Sequence, residues 1–176
     1  MNKLVIVALC ATLANGSILS SSILVTSTTT VSSLTKSLPC YPGRALPGRY
    51  TKVFDMVALP NSALQTGLSR DDGYRLFAKS GLLFRGDERF ELRIAETMRS
   101  RAAMGFGSSP VPTRAVQNGP CRESTHGWKG VPGGFWTDEP RCLVLSVSSG
   151  GRTKNVQIGL GTPCPGQRGP FGQSER

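Results

Sequence analysis

The chain has a single histidine, His126, and no two cysteines at C-x-x-C spacing, so the usual tetrahedral metal sites lack a ligand set. No G-x-S-x-G elbow accompanies that histidine, which leaves a Ser/His/Asp hydrolase without its local signature. Acidic residues are few: 11 Asp and Glu stand against 21 Lys and Arg, a formal net charge of +10. The basic residues are scattered, with no block of five or six, which fits a generally basic surface. Without an aromatic-interleaved basic patch or a nucleic-acid motif, nucleic acid is disfavoured as a partner, and an anionic envelope polymer suits the charge better. Long apolar runs are missing as well. Ser, Thr, Asn and Gly interrupt each stretch before it reaches the about 20 residues of a membrane span, so no stable transmembrane span is expected. Nor is there a repeat of solenoid length. With 176 residues, 38% hydrophobic and 7% aromatic, the composition describes one domain with a modest core.

What is present begins with Met1-Asn2-Lys3, the apolar run Leu4 to Ala14, and small polar residues around Asn15, Gly16 and Ser17. This reads as a secretory signal peptide, cleaved after Ala14 or within the following dozen residues, and the segment 1–25 is assigned to it. Cys10 leaves with that segment. The remaining cysteines, Cys40, Cys121, Cys142 and Cys164, are even in number, which argues for two disulfides in an oxidising compartment.

The most legible stretch follows Cys142. Leu143, Leu145 and Val147 alternate with Val144, Ser146 and Ser148, and Gly150-Gly151 is a two-residue hairpin loop leading into Thr153 to Leu160. In that register Val147 faces Lys154, Leu145 faces Val156 and Leu143 faces Ile158, giving one apolar face. Cys142 then lies opposite Gly159, five residues short of Cys164, roughly 16 Å along a straight strand. A disulfide spans about 7 Å between Cα atoms. Unless Gly161-Thr162-Pro163 folds back, the preferred pairs are Cys121 with Cys142 and Cys40 with Cys164.

Upstream, 26–48 reads as a flexible Ser/Thr/Pro lead-in and Arg49 to Phe54 as a strand, with Met56 to Asp72 loop-like. Tyr74 to Ala78 and Gly81 to Phe84 are strand segments before a Gly86-Asp87-Glu88 turn. Phe90, Leu92 and Ile94 then alternate with Glu91 and Arg93, suggesting a hairpin, although Arg89 to Met104 also carries helical spacing. Ala102 to Phe106 and Thr113 to Gln117 complete about seven strands with Gly/Pro turns. These make an all-β, disulfide-bonded antiparallel β-sandwich of Ig-like type over 49–164, with a mobile, disordered tail at 165–176.

The run Cys121, Trp128, Gly133-Gly134-Phe135, Pro140-Arg141-Cys142-Leu143-x-Leu145-x-Val147 and Ile158-Gly159-x-Gly161-x-Pro163-Cys164 resembles small exported actinobacterial proteins of uncharacterised function. The likeness covers roughly half of the chain, reaching back weakly to Gly81. It implies a disulfide-bonded sandwich outside the cytoplasm and supplies no activity.

Trp128, Phe135 and Trp136 lie within nine positions among glycines, a candidate binding loop, since aromatic rings stack on sugars or anchor a partner. In an extended segment Phe135 and Trp136 point to opposite faces, so one of the two is expected to be exposed. The bland alternative packs the aromatics over a Cys121 to Cys142 bridge. Asp71-Asp72, Asp87-Glu88 and Asp138-Glu139 are carboxylate doublets, but each sits at an expected turn. Arg85-Gly86-Asp87 spells an integrin-read adhesion tripeptide at an expected hairpin tip. No catalytic, cofactor or metal residue is assigned. The expectation is a non-enzymatic exported or cell-envelope protein that binds an anionic envelope polymer or another exported protein. The alternatives are a secreted inhibitor or interaction module and, behind it, an envelope hydrolase. N-terminal sequencing of the natural product should find a start between Asn15 and about residue 26; Met1 or Asn2 in place would refute the signal.

Overall fold

The computed structural model describes residues 35–41, 43–44, 50–70, 73–119, 121 and 127–170. Twelve strands follow one another: β1 Lys36–Ser37, β2 Gly43–Arg44, β3 Tyr50–Val53, β4 Val57–Pro60, β5 Gly67–Leu68, β6 Leu76–Arg85, β7 Glu91–Ile94, β8 Ala102–Phe106, β9 Ala115–Gln117, β10 Trp128–Thr137, β11 Arg141–Ser149 and β12 Arg152–Leu160. One 3-10 turn, Glu96–Met98, is the only helical element among the described residues. The chain is therefore all-β and forms two packed sheets. The first runs β1-β9-β7-β11-β12, antiparallel except for β1 beside β9. In the second, β6 and β10 pair over ten positions; β4 and β5 share the far edge of β6, β3 lies beyond β4, and β2 and β8 share the far edge of β10.

The β11–β12 hairpin has the register that its alternation dictates, with Leu143 opposite Ile158, Leu145 opposite Val156 and Val147 opposite Lys154. Gly150 and Gly151 have φ of 53° and 76°, the left-handed pair that a two-residue turn between twisted strands requires. Leu143, Leu145, Val147 and Ile158 are fully buried and Val156 packs against them, whereas Ser146 is half-buried and Gln157 exposed. Across the interior they meet the inner face of the second sheet, including Leu82, Phe84, Val131 and Phe135.

Glu91–Ile94 is a strand, and the helical alternative shrinks to the turn after it. It is not, however, the hairpin partner of β6. Both edges of β6 are occupied, by β10 and by β4 and β5, so the chain crosses at Gly86-Asp87-Glu88 to the other sheet. The buried Asn118 amide holds this corner: its Oδ1 accepts from Phe90 N at 2.9 Å, and its Nδ2 donates to Glu88 O at 2.8 Å. Phe84 and Phe90 then meet across the core with ring centroids 5.5 Å apart. The loop-like span after Met56 also contains β4 and β5. Met56, Val57, Ala58 and Leu59 are all buried, a strand covered on both faces and so without alternation.

The preferred cysteine pairing is overturned: the bridges are Cys40–Cys121 and Cys142–Cys164, with Cα separations of 5.8 and 4.9 Å. The β12 strand does not continue straight. It ends at Leu160, and Gly161, at φ 69°, turns the chain back. Leu64 secures the turn, donating to Gly159 O and accepting from Gly161 N, each at 2.8 Å. Gln167 Oε1 accepts from Gly159 N and Cys164 N, which returns Cys164 to the neighbourhood of Cys142. The domain also extends beyond 49–164. Lys36–Ser37 pairs with Val116–Gln117, and Ala63 N donates to Arg168 O at 2.9 Å.

Replacing Leu145 by Ala should cost about 2–5 kcal/mol in denaturant melts, and Ser146→Ala under about 0.5 kcal/mol; equal midpoints would contradict a half-buried hairpin. Non-reducing peptide mapping should recover peptides joining Cys40 to Cys121 and Cys142 to Cys164, with no free thiol at these four positions, and a Cys121–Cys142 peptide would overturn the return at Gly161.

Candidate functional site

Trp128, Phe135 and Trp136 do not form a loop. All three stand on β10, a strand bonded on both edges. Phe135 and Trp136 do point to opposite faces, but neither is exposed: they are 1% and 2% accessible. Phe135 enters the core edge-on to Phe106, with centroids 5.7 Å apart. Trp136 lies on the outer face, 4.8 Å from Phe77. Glycine makes this possible. A Cβ on Gly134 would stand 2.6 Å from the Phe77 ring, and one on Gly105 would stand 2.9 Å from the Trp136 indole, so both rings approach strand backbone where a side chain would otherwise stand. The Cys121 to Cys142 bridge over which the aromatics were alternatively to pack does not exist.

Trp128, half-buried on the same outer face, has the Lys52 ammonium 5.7 Å from its ring centroid. Lys52 pairs with Asp55 at 3.0 Å, Asp55 with Arg85 at 3.5 Å, and Arg85 with Asp87 at 2.8 Å. The Lys52 ammonium, with Arg85 second, holds the Asp55 carboxyl below its ordinary range, and Asp87 raises the Arg85 guanidinium. The adhesion tripeptide is thus folded on itself: Arg85 and Asp87 neutralise one another, and Gly86 is packed against the Cys121 sulfur. It occupies the corner between sheets instead of a hairpin tip. Of the other carboxylates, Glu139 pairs with Arg141 at 2.6 Å. His126, Asp71 and Asp72 lie outside the described residues. Among the described residues no group of three His, Cys, Asp or Glu converges.

A concavity lies elsewhere, on the outer side and edge of the second sheet. It is a groove of about 1240 Å³, floored by β6 and β10 around Gly81, Leu83, Gly130 and Pro132 and walled by the segment 60–68 and Tyr50. The wall exists because β4 and β5 leave β6 uncovered between them: β4 pairs with Phe84 and Leu83, β5 with Phe77 and Leu76, and the intervening chain loops out. Hydrogen bonds of Ala63 and Leu64 to Arg168, Gly159 and Gly161 pin that excursion to the end of the first sheet. Burial pushes the Tyr50 phenol above its ordinary value. Leu68, on the rim, is 88% exposed, a large apolar side chain offered to solvent.

Chemically the lining is mostly apolar, with Ser62, Gln65, Thr66 and Ser80 as hydrogen-bonding groups and Lys79 as its cation. No carboxylate is among the described lining residues. Sequence reasoning missed this site because Ser80-Gly81 looked like a break between two strand segments. It is the middle of one ten-residue strand whose outer face is interrupted by a glycine. Among the described residues no helix is long and apolar enough to cross a membrane. Both disulfides fit an oxidising compartment. Comparison of the chain with protein-family models, with curated proteins and with solved structures finds no match to any of them.

Proposed function

We propose that the protein is an exported, non-enzymatic binding module of the cell envelope, and that its ligand lies in the groove over β6 and β10. The observation that carries this reading is the groove itself: a mostly apolar concavity of ligand-pocket size, with a few convergent polar groups. Its wall is held in place by main-chain hydrogen bonds at Ala63 and Leu64, so the site is preformed and little conformational freedom is lost on binding. A lining whose described ionisable groups are Tyr50 and Lys79 lacks the carboxylate pair of a glycosidase, which supports binding over hydrolysis. Export rests on the signal-like leader, the even cysteine count after its removal and the resemblance to exported actinobacterial proteins. The inhibitor reading loses its aromatic loop, since Phe135 and Trp136 are spent on packing.

A photo-crosslinking residue placed at the exposed Leu68 in the natural host should capture envelope material. The same residue at Ser146, on the outer face of the other sheet, should not. Equal capture at both positions, or capture at Ser146 alone, would refute the groove as the binding site.

A further inference from the structure

We infer that the groove receives an acidic sugar of an extended polysaccharide, and that Gly81 is the position that admits it; this rests on the binding reading above. Gly81 differs from Gly105, Gly133 and Gly134 of its sheet in what an added Cβ would meet; Gly67 is likewise uncrowded, but stands on a two-residue edge strand and not inside a ten-residue one. At Gly105, Gly133 and Gly134 an added Cβ would collide with rings or backbone, so packing demands glycine there. At Gly81 the nearest atom to an added Cβ is the Val131 carbonyl oxygen at 3.7 Å, an ordinary contact. Glycine inside a strand weakens it, and one that packing does not require marks a place where something else approaches the backbone. At Gly81 that place is the groove floor.

The backbone points the same way. Pro132, the partner of Gly81 on β10, has no N–H, and its carbonyl accepts from Gly107 N at 2.8 Å on the far side of β10. The pair is therefore a non-hydrogen-bonded one, and the N–H and C=O of Gly81 point away from β10, as do those of Lys79 two residues before. No strand pairs with Lys79 or Gly81 on that edge among the described residues, because β5 stops at Phe77 and β4 at Leu83. These main-chain donors and acceptors face the groove, the Gly81 carbonyl also accepting from Ser80 Oγ at 3.2 Å. Because β4 and β5 close the gap at both ends, a peptide strand cannot run through it in the plane of the sheet, which disfavours β-strand addition. Sugar hydroxyls, which both donate and accept, suit such a set, and the apolar faces of Leu83 and Tyr50 suit a sugar ring. The charge is set by Lys79, which has no ion-pair partner among the described residues, in a lining whose described residues include no carboxylate and a chain of net charge +10.

The test measures binding of the full mature chain to polygalacturonate, neutral dextran and polyglutamate by affinity electrophoresis, alongside thermal melts. Polygalacturonate should bind best. Gly81→Val, which fills the floor with a good strand former, should lower that affinity at least tenfold without lowering Tm. Lys79→Gln should weaken binding several-fold and flatten its salt dependence. Polygalacturonate binding that Gly81→Val leaves unchanged would overturn the inference, as would a marked loss of Tm in that variant. Equal binding of polyglutamate or dextran, lost in Gly81→Val, would overturn the acidic sugar and leave the groove standing. No polygalacturonate binding, with crosslinking at Leu68 intact, would sink the inference alone, whereas loss of that crosslinking sinks the groove.

Discussion

The ten-position ladder between Leu76–Arg85 and Trp128–Thr137 is what the second sheet hangs on, and its demands explain the composition of both strands. Each strand is loaded on both faces outside the stretch that lines the groove. The inner face carries Ala78, Leu82, Phe84, Val131 and Phe135 into the core, while the outer face beds Phe77 on Gly134 and Trp136 on Gly105. A strand covered on two sides cannot alternate apolar with polar residues. Room for large rings over a backbone is made by removing Cβ atoms beneath them. The Gly-Gly-Phe-Trp sequence of β10 is therefore a packing device: one glycine under a ring, one against the backbone of β8, and two aromatics sent to opposite faces.

The two sheets are then joined at places built alike. At the β6–β7 corner the Asn118 amide satisfies main-chain groups of Glu88 and Phe90, and three residues later Cys121 bonds to Cys40. At the end of β12 the Gln167 amide satisfies main-chain groups of Gly159 and Cys164, and three residues earlier Cys164 bonds to Cys142. An amide side chain supplies hydrogen bonds that a turning backbone cannot make for itself, and the disulfide limits how far the unfolded chain can separate. The second of these junctions also sets the function proposed above. It anchors Leu64 beside Gly159 and Gly161, and so holds the wall of the groove away from β6.

How much could be read in advance follows from the range of the interactions involved. The β11–β12 hairpin was legible to the residue because a two-glycine loop and alternation over neighbouring positions determine it locally. The existence of β7 was legible from its alternation, and that of β3, β8 and β9 from the Gly, Pro and Ser breaks that bound them. Which sheet β7 joins was not, since it depends on Asn118, 28 residues from Phe90. The cysteine pairing failed at one residue: Gly161 was treated as a continuation of the strand, and its left-handed conformation is stabilised by Leu64, far off in sequence. The expected exposure of one aromatic failed because alternation says which face a ring takes and is silent on what covers that face. The groove left almost no trace, because its signal is a glycine that looked like a strand break.

The charge distribution connects these levels. Asp55, Asp87, Glu91, Glu96 and Glu139 each contact a lysine or arginine, in surface pairs that are exposed or half-buried. Surface pairs of this kind contribute about 0–1 kcal/mol, so the ladder, the core and the disulfides hold the fold, and the ion pairs hold little of it. Their larger consequence is electrostatic. These five acids are engaged close to cations, and none of them is among the described residues that line the groove, where the cation is Lys79, without an ion-pair partner among the described residues. Its main chain and that of Gly81 are claimed by no strand on the groove side among the described residues, so a charge ratio visible in composition alone acquires a location in the groove lining.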